Sequence, residues 1–175
     1  MSDFNVNKYL GTWYELAHYP SWFQRNDNYN TMAEYNILPG DSPLVQVHNS
    51  TISKGKRFDS MGVASYLGGS SFRVDFPRPE ISKLQQSGEF KMLGFPVSGQ
   101  IPQELTQNGP NYVVDMIWTN KFGDYVFAVV TDPSRQSLYV LSRYKNPSLV
   151  AYNQIMEYVV QNYDRDRLVQ TPHFN

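Results

Sequence analysis

Short runs in which apolar and polar residues alternate recur along most of this chain, and they constrain its fold more than any other feature. In one such run Phe72, Val74 and Phe76 alternate with Arg73 and Asp75. Because successive side chains of a β-strand point to opposite faces of a sheet, a period of two predicts strands with one buried face. The chain is therefore expected to consist mainly of strands.

Turn-forming residues divide these runs into eight predicted strands. Residues 39–41, 68–70 and 132–135 are rich in Gly, Pro, Asp and Ser, which are typical of turns. After the last strand the apolar period becomes helical, and Asn146 is expected to cap a helix whose first residue is Pro147. The predicted elements are a helical turn at 6–10, strands at 11–19, 29–37, 44–52, 58–67, 72–76, 112–119, 125–131 and 136–143, and a helix at 147–162.

Eight short strands followed by one amphipathic helix predict an all-β fold, an eight-stranded antiparallel up-and-down barrel with the C-terminal helix packed on its flank. A barrel of eight strands encloses space for a small ligand. The same strands also suit a β-sandwich, whose interior is filled with side chains. At 175 residues the whole chain, 1–175, is expected to form one domain.

The connection between the fifth and sixth predicted strands, residues 77–110, is unusually long and rich in proline and glycine. In an up-and-down barrel this insertion and the loop 19–28 both lie at the open end. We hypothesise that the insertion forms a lid over the cavity and buries Trp22 and Phe23. The alternative is that residues 77–110 are a docking surface for a protein partner.

The composition excludes several functional classes. A net charge of -1 without clustered Lys or Arg gives no nucleic-acid surface. The absence of cysteine excludes disulfides, thiolate nucleophiles and Cys-ligated zinc. The three histidines, His18, His48 and His173, are not spaced as a ligand set, so neither a metal nor a cofactor is expected.

Nothing at the N-terminus resembles a signal peptide, and no apolar run approaches the roughly 20 residues of a membrane span. The expected location is cytoplasmic or otherwise non-secreted. Gating of the ligand or membrane contact at the barrel mouth by Trp22 and Phe23 is an open alternative that the sequence does not itself indicate, and the sequence does not define an oligomeric state.

The ends of the predicted barrel carry the most specific motifs. The first strand begins with Gly11-Thr12-Trp13-Tyr14-Glu15, and the last strand ends at Arg143. Up-and-down topology brings Trp13, the turn at Asn120 and Arg143 to one end. There the indole closes the barrel floor, and the guanidinium stacks on it while donating to backbone carbonyls.

On these motifs the chain resembles the lipocalins, specifically the bacterial lipocalin and apolipoprotein D branch. Residues 11–15 correspond to the first family signature, and residues 138–143 correspond to the last. The middle signature falls on Thr119 and Asn120, where the family usually has Thr-Asp, so a negative charge is missing there. The resemblance covers most of the chain except 77–110, and its structural residues are Gly11, Trp13, Thr119, Asn120 and Arg143.

Strand parity predicts an apolar interior with a few phenols, which binds ligands by burying area. For each residue the alternative is that its side chain simply packs a filled core. The predicted inward residues are Ala33, Tyr35, Val47, Gly62, Tyr66, Phe72, Val74, Phe76, Val114, Met116, Trp118 and Tyr139.

The predicted function is non-catalytic binding, transport or storage of a small hydrophobic ligand such as a fatty acid or lysophospholipid, and the resemblance implies the same ligand class. The alternative is an enzyme acting on such a ligand, which requires titratable groups converging in the cavity. Parity places only tyrosines there. Glu15 and Glu34 are assigned to framework or outward positions, and Ser134 lies in a turn, so no catalytic residue is expected.

Overall fold

The computed structural model describes residues 3–20, 27–39, 44–76 and 109–175. All but the last two residues of the predicted lid, 77–110, therefore lie outside the described residues. Trp22 and Phe23 also lie outside them. The strands are β1 Gly11–His18, β2 Tyr29–Ile37, β3 Leu44–Ser53, β4 Lys56–Gly68, β5 Ser71–Asp75, β6 Tyr112–Thr119, β7 Tyr125–Thr131, β8 Leu138–Ser142 and β9 Val169–Gln170, and the helices are α1 Val6–Tyr9, α2 Leu149–Asn162 and a 3₁₀ turn Arg165–Arg167.

The first eight strands close into an antiparallel barrel. Each of β2 to β8 pairs with its neighbour in sequence, and β1 pairs with both β8 and β2. Trp13 of β1 lies opposite Ala33 of β2, and Tyr14 lies opposite Ser142 of β8. The predicted barrel is thus confirmed, and the sandwich is wrong.

The two faces of the barrel wall carry separate hydrophobic clusters, as strand alternation requires, and the two largest among the described residues are an interior and an outer cluster. The interior cluster includes Trp13, Tyr35 and Phe72 together with Phe4 and Tyr9, the last residue of α1. The outer cluster joins β1, β7 and β8 to Ile155 and Val159 of α2. The helix therefore covers one flank of the barrel, as predicted from its apolar stripe.

Helix α2 begins two residues later than predicted. Ser148 is its N-cap, and the Ser148 hydroxyl accepts a hydrogen bond from the Ala151 amide at 3.2 Å. Asn146 and Pro147 precede the helix because the serine oxygen satisfies a first-turn amide instead. In the described ranges, no helix combines the length and apolar character that crossing a bilayer demands.

The C-terminal tail forms a strand that the sequence analysis missed. In β9, Val169 lies opposite His18 and Gln170 opposite Ala17. Further along, the Asn30 amide donates to the Pro172 carbonyl at 2.9 Å. The tail thus fills the seam between β1 and β2 toward the open end, where these two strands no longer pair directly.

Candidate functional site

The closed end of the barrel is stoppered by Trp13 under Arg143. The indole is fully buried, and its Nε1 donates to the Tyr9 carbonyl at 2.8 Å. The Arg143 guanidinium lies 3.9 Å from the centre of the indole ring. It also donates to the carbonyls of Thr12 at 2.7 Å and Leu10 at 2.7 Å. These side chains close the barrel interior at this end, and the predicted Trp13–Arg143 contact is confirmed.

The turn between β6 and β7 lies at the same end and is organised by Asn120. The Asn120 Oδ1 accepts from the amides of Phe122 at 2.9 Å and Asp124 at 3.0 Å. Its Nδ2 donates to a carboxylate oxygen of Asp124 at 3.2 Å. An aspartate at position 120 would place a second negative charge beside Asp124, and like charges repel. Asparagine in place of the usual aspartate therefore suits this turn, and Asp124 still supplies a negative charge at this end of the barrel.

Aromatic rings fill the interior next to the stopper. Phe4 and Tyr9 reach in from the α1 region, and their rings pack against Phe72 of β5. The Tyr112 hydroxyl hydrogen-bonds to that of Tyr9 and, at 2.9 Å, to that of Tyr35. Burial raises the pKa of Tyr35 to about 12 and holds those of Tyr9 and Tyr112 well above the usual value. These phenols form a neutral hydrogen-bonded floor.

A small cavity remains between the rings of this aromatic floor and residues of the α1 region. The centre of a water molecule can occupy ≈ 10 Å³ of this cavity, so the cavity has room for about one water. The part of the interior near the stopper is therefore essentially packed. The residues lining the cavity are Val6, Tyr9, Leu10, Tyr35, Val45, Ala64, Phe72, Val74 and Tyr112.

Eight of the predicted ligand-contacting residues lie in or against the interior cluster. Six of them belong to β2, β3, β4 and β5, and Val114 and Tyr139 come from β6 and β8. Contact of these side chains with a ligand stays a prediction. They are Ala33, Tyr35, Val47, Tyr66, Phe72, Val74, Val114 and Tyr139.

The predicted inward orientation of Met116 and Trp118 is wrong. Both pack in the outer cluster, and the Trp118 ring lies edge-on to Tyr158 of α2 at 5.6 Å. The register of β6 against β7 shifts between Val114 and Met116, which marks a β-bulge. A bulge adds one residue to a strand and reverses the faces beyond it, so Val114 points inward as predicted and Ile117 is the next inward residue.

Phe76 follows the end of β5 and is 51% exposed, so it is not a buried lining residue. Its ring nevertheless lies over the inner side of Gly62, where an added Cβ would be 2.8 Å from the Phe76 Cδ1 and 2.7 Å from the Asp75 carbonyl oxygen. The missing side chain of Gly62 thus makes room for the Phe76 ring toward the open end.

Two titratable groups that the sequence analysis left out of the interior are buried there. Glu15 is 4% exposed and His18 is 1% exposed. The residues opposite them on β8 are Leu141 and Tyr139, whose side chains belong to the interior face. The expectation that only tyrosines lie inside is therefore wrong. A shift in β1 between Glu15 and Ala17 keeps both groups on one face despite their spacing.

A second histidine lies on the outer face of the barrel. The His48 Nδ1 is 3.4 Å from Glu34, and its Nε2 is 2.7 Å from Asp59. Each ring nitrogen thus faces a different carboxylate, which ties β2, β3 and β4 together. Within the described ranges, no group of three or more His, Asp or Glu side chains has the arrangement of a metal site.

The comparisons with known proteins agree with this geometry. Residues 4–95 match the family model described as a lipocalin-like domain. Temperature-induced lipocalin-1 of Arabidopsis thaliana is 32% identical over 169 residues, which are 96% of this chain and 78% of the relative. The outer membrane lipoprotein Blc of Vibrio cholerae is 27% identical over 143 residues, covering 82% of this chain and 67% of the relative.

Among solved structures, the cockroach major allergen Per a 4 superimposes with a TM-score of 0.63 at 14% identity, covering 99% of this chain and 91% of the allergen. That likeness concerns the fold alone. The chain belongs to the lipocalin family, as the Trp13 and Arg143 motifs indicated. The general role of lipocalins is to bind small hydrophobic molecules.

Proposed function

We propose that this protein is a non-catalytic carrier of a small hydrophobic molecule, bound inside the barrel on the open-end side of the aromatic floor. The observation that carries the proposal is the change in side-chain size along the interior. Tyr9, Tyr35 and Phe72 pack together at the floor, whereas the interior positions next to them are Ala33, Val47 and Val74. Small side chains leave width between the walls for an apolar chain.

The apolar part of the ligand that fits is a single slender chain, as in a fatty acid, a lysophospholipid or a comparable lipid. An apolar chain lying against Ala33, Val47 and Val74 gains ~25 cal/mol per Å² of buried apolar area, before the cost of ordering. The floor limits how deeply this chain reaches. A slender chain suits this space better than a broad fused-ring molecule.

The arrangement of Glu15, His18 and Thr171 does not favour the enzyme alternative. In a nucleophile–histidine–acid relay, the nucleophile and the acid contact opposite ring nitrogens. Here the Thr171 hydroxyl and the Glu15 carboxylate both lie 3.1 Å from the same nitrogen, Nδ1 of His18. The Thr171 hydroxyl also donates directly to Glu15 at 2.6 Å. The imidazole cannot relay a proton between them.

The proposal is tested by binding a fluorescent naphthylamine probe to two variants of one strand. Val74→Gln introduces an amide on the inner face of β5, and Arg73→Gln introduces the same amide on the outer face. An amide in an apolar site loses hydration without gaining a partner. Val74→Gln should therefore weaken probe binding about ten-fold or more.

Arg73→Gln should bind the probe like the wild type. Circular dichroism must show that both variants fold, since Val74→Gln is also expected to lose about 1–3 kcal/mol of stability. Equal affinity of the two folded variants, or no probe binding by the wild type, would refute carriage inside the barrel.

A further inference from the structure

A buried polar network joins β1 to the C-terminal tail. The Glu15 Oε2 accepts a hydrogen bond from the Thr171 hydroxyl at 2.6 Å and lies 3.1 Å from the His18 Nδ1. The same His18 Nδ1 lies 3.1 Å from the Thr171 Oγ1. All three side chains are buried, Thr171 being 5% exposed. None of them forms part of the aromatic floor.

This network faces the interior of the barrel toward its open end. Residues opposite each other in an antiparallel pair share a face, and their Cβ atoms are about 5 Å apart. His18, the last residue of β1, lies opposite Tyr139 of β8. Tyr139 in turn lies opposite Val130 of β7, which is a buried member of the interior cluster. The imidazole and the phenol are therefore interior neighbours.

The hydrogen bonds of Glu15 and Thr171 show which ring nitrogen of His18 is already hydrogen-bonded. The Thr171 hydroxyl gives its proton to Glu15, so both oxygens near the His18 Nδ1 act as acceptors. Nδ1 must then carry the proton, and Nε2 is the free atom of the ring. Nε2 is buried and has no hydrogen-bond partner among the residues that the structure describes. A buried polar atom without a partner is costly unless something else supplies one.

A second unused polar group lies next to it. The Tyr139 side chain is half-buried, and within the described part of the chain its hydroxyl makes no hydrogen bond. Burial, followed by the negative charge of Glu15, raises the pKa of Tyr139 to about 12, so the phenol stays protonated. The His18 Nε2 and the Tyr139 hydroxyl thus offer two adjacent hydrogen-bonding positions above the apolar part of the interior.

We propose that His18 and Tyr139 hold the polar end of the ligand, and that this end is an uncharged hydroxyl group rather than a carboxylate. The inference deepens the proposed carrier function and rests on it. A hydroxyl both donates and accepts, so it can satisfy Nε2 and the phenol together. A ligand carboxylate at this position would lie close to the negative charge of Glu15, which already acts on Tyr139, and like charges repel.

The test compares three ligands of equal chain length, hexadecanol, methyl palmitate and palmitate, as competitors of the naphthylamine probe. The wild type should bind hexadecanol about five-fold more tightly than either other compound, the value expected of one net hydrogen bond. His18→Asn keeps a side-chain N–H near the position of Nδ1 and removes Nε2. This variant should lose the preference for hexadecanol over methyl palmitate and palmitate.

His48→Asn, the same change on the outer face of the barrel, is the matched control and should keep the wild-type preference. Tyr139→Phe is the second variant, and it should reduce the preference even if His18→Asn fails to fold. Absence of displacement by all three compounds in the wild type would overturn the carrier function itself. Displacement by all three with a preference for palmitate, or with an unchanged preference in the folded His18→Asn variant, would leave carriage standing and overturn the role of His18.

Discussion

The guanidinium of Arg143 lies 3.9 Å from the ring centre of Trp13, so the residue that follows β8 covers the start of β1 at the closed end of the barrel. Besides Thr12 and Leu10, it donates to the carbonyls of Lys8 at 3.0 Å and Tyr125 at 3.2 Å. A planar fork of donors reaches several carbonyls at once, whereas an ammonium group does not. Arg143 therefore joins α1, β1 and β7 in one small region.

Replacing Arg143 should destabilise the fold strongly. We expect Arg143→Ala to lower the free energy of unfolding by about 3 kcal/mol and Arg143→Lys by about 2 kcal/mol, because buried carbonyls lose charged donors. Urea unfolding followed by circular dichroism measures both. Arg73→Lys, on the half-buried pair with Asp75 at 3.2 Å, is the control and should stay within about 0.5 kcal/mol. Comparable losses at positions 73 and 143 would contradict the account.

Trp118 should matter for stability and not for ligand binding. Its ring packs against Tyr158 outside the barrel, so Trp118→Ala is expected to cost about 3 kcal/mol by opening a gap under α2. The dissociation constant of the naphthylamine probe should stay within about two-fold of the wild type. Thermal melts and probe titration on the same sample separate the two effects. If Trp118→Ala reduced probe affinity as much as Val74→Gln does, the result would indicate that Trp118 lies inside the barrel and would contradict the account.

The position of Trp118 outside the barrel, where an inward side chain was predicted, shows where sequence reasoning was sufficient and where it failed. Strand alternation and the motif pair Trp13 and Arg143 predicted the barrel, its closed end and most interior positions, since these depend on period and topology alone. The inner face of β6 was assigned incorrectly beyond Val114, because a one-residue bulge leaves no mark in a hydropathy pattern. Met116 and Trp118 are apolar and suit either face.

Glu15 was misassigned for a related reason. A carboxylate in a strand suggests an outward position, since an unpaired charge is rarely buried. Its partners, His18 and Thr171, lie 3 and 156 residues away along the chain, and the second comes from a tail that looked merely polar. Alternation of polarity carries no information about such long-range pairing. The Glu15–His18 spacing was no signal either, because a spacing of three places strand residues on opposite faces unless a bulge intervenes.

The ionised carboxylate of Asp132 should make a contribution to the free energy of unfolding that is lost in acid. Burial raises its pKa, but hydrogen bonds from Ser134 and Ser137 lower it by more, so the pKa lies well below the usual value. A lowered folded-state pKa contributes stability above the unfolded value of about 4, and this is lost as the pH falls further. Asp132→Ala should cost about 2 kcal/mol at neutral pH. The difference from the wild type should shrink below about pH 4, and a pH-independent difference in urea unfolding would refute this.

The aromatic floor should make the protein sensitive to alkali. The pKa of Tyr35 is raised by burial to about 12, while an unfolded tyrosine titrates near 10. The unfolded chain therefore releases protons first, and the free energy of unfolding should fall as the pH rises from about 10 toward about 12. Tyrosinate absorbance and circular dichroism, recorded together, measure this. Ionisation of every tyrosine near pH 10 in a protein that remains folded would contradict the buried floor.

Crystallography with a lipid brominated near the end of its chain tests the central claim most directly, because anomalous scattering locates the bromine independently of any fitted ligand. The account predicts a bromine peak inside the barrel, between Ala33 and Val74 and on the open-end side of Tyr35. A peak only on the outer surface, for example against α2, would contradict carriage inside the barrel.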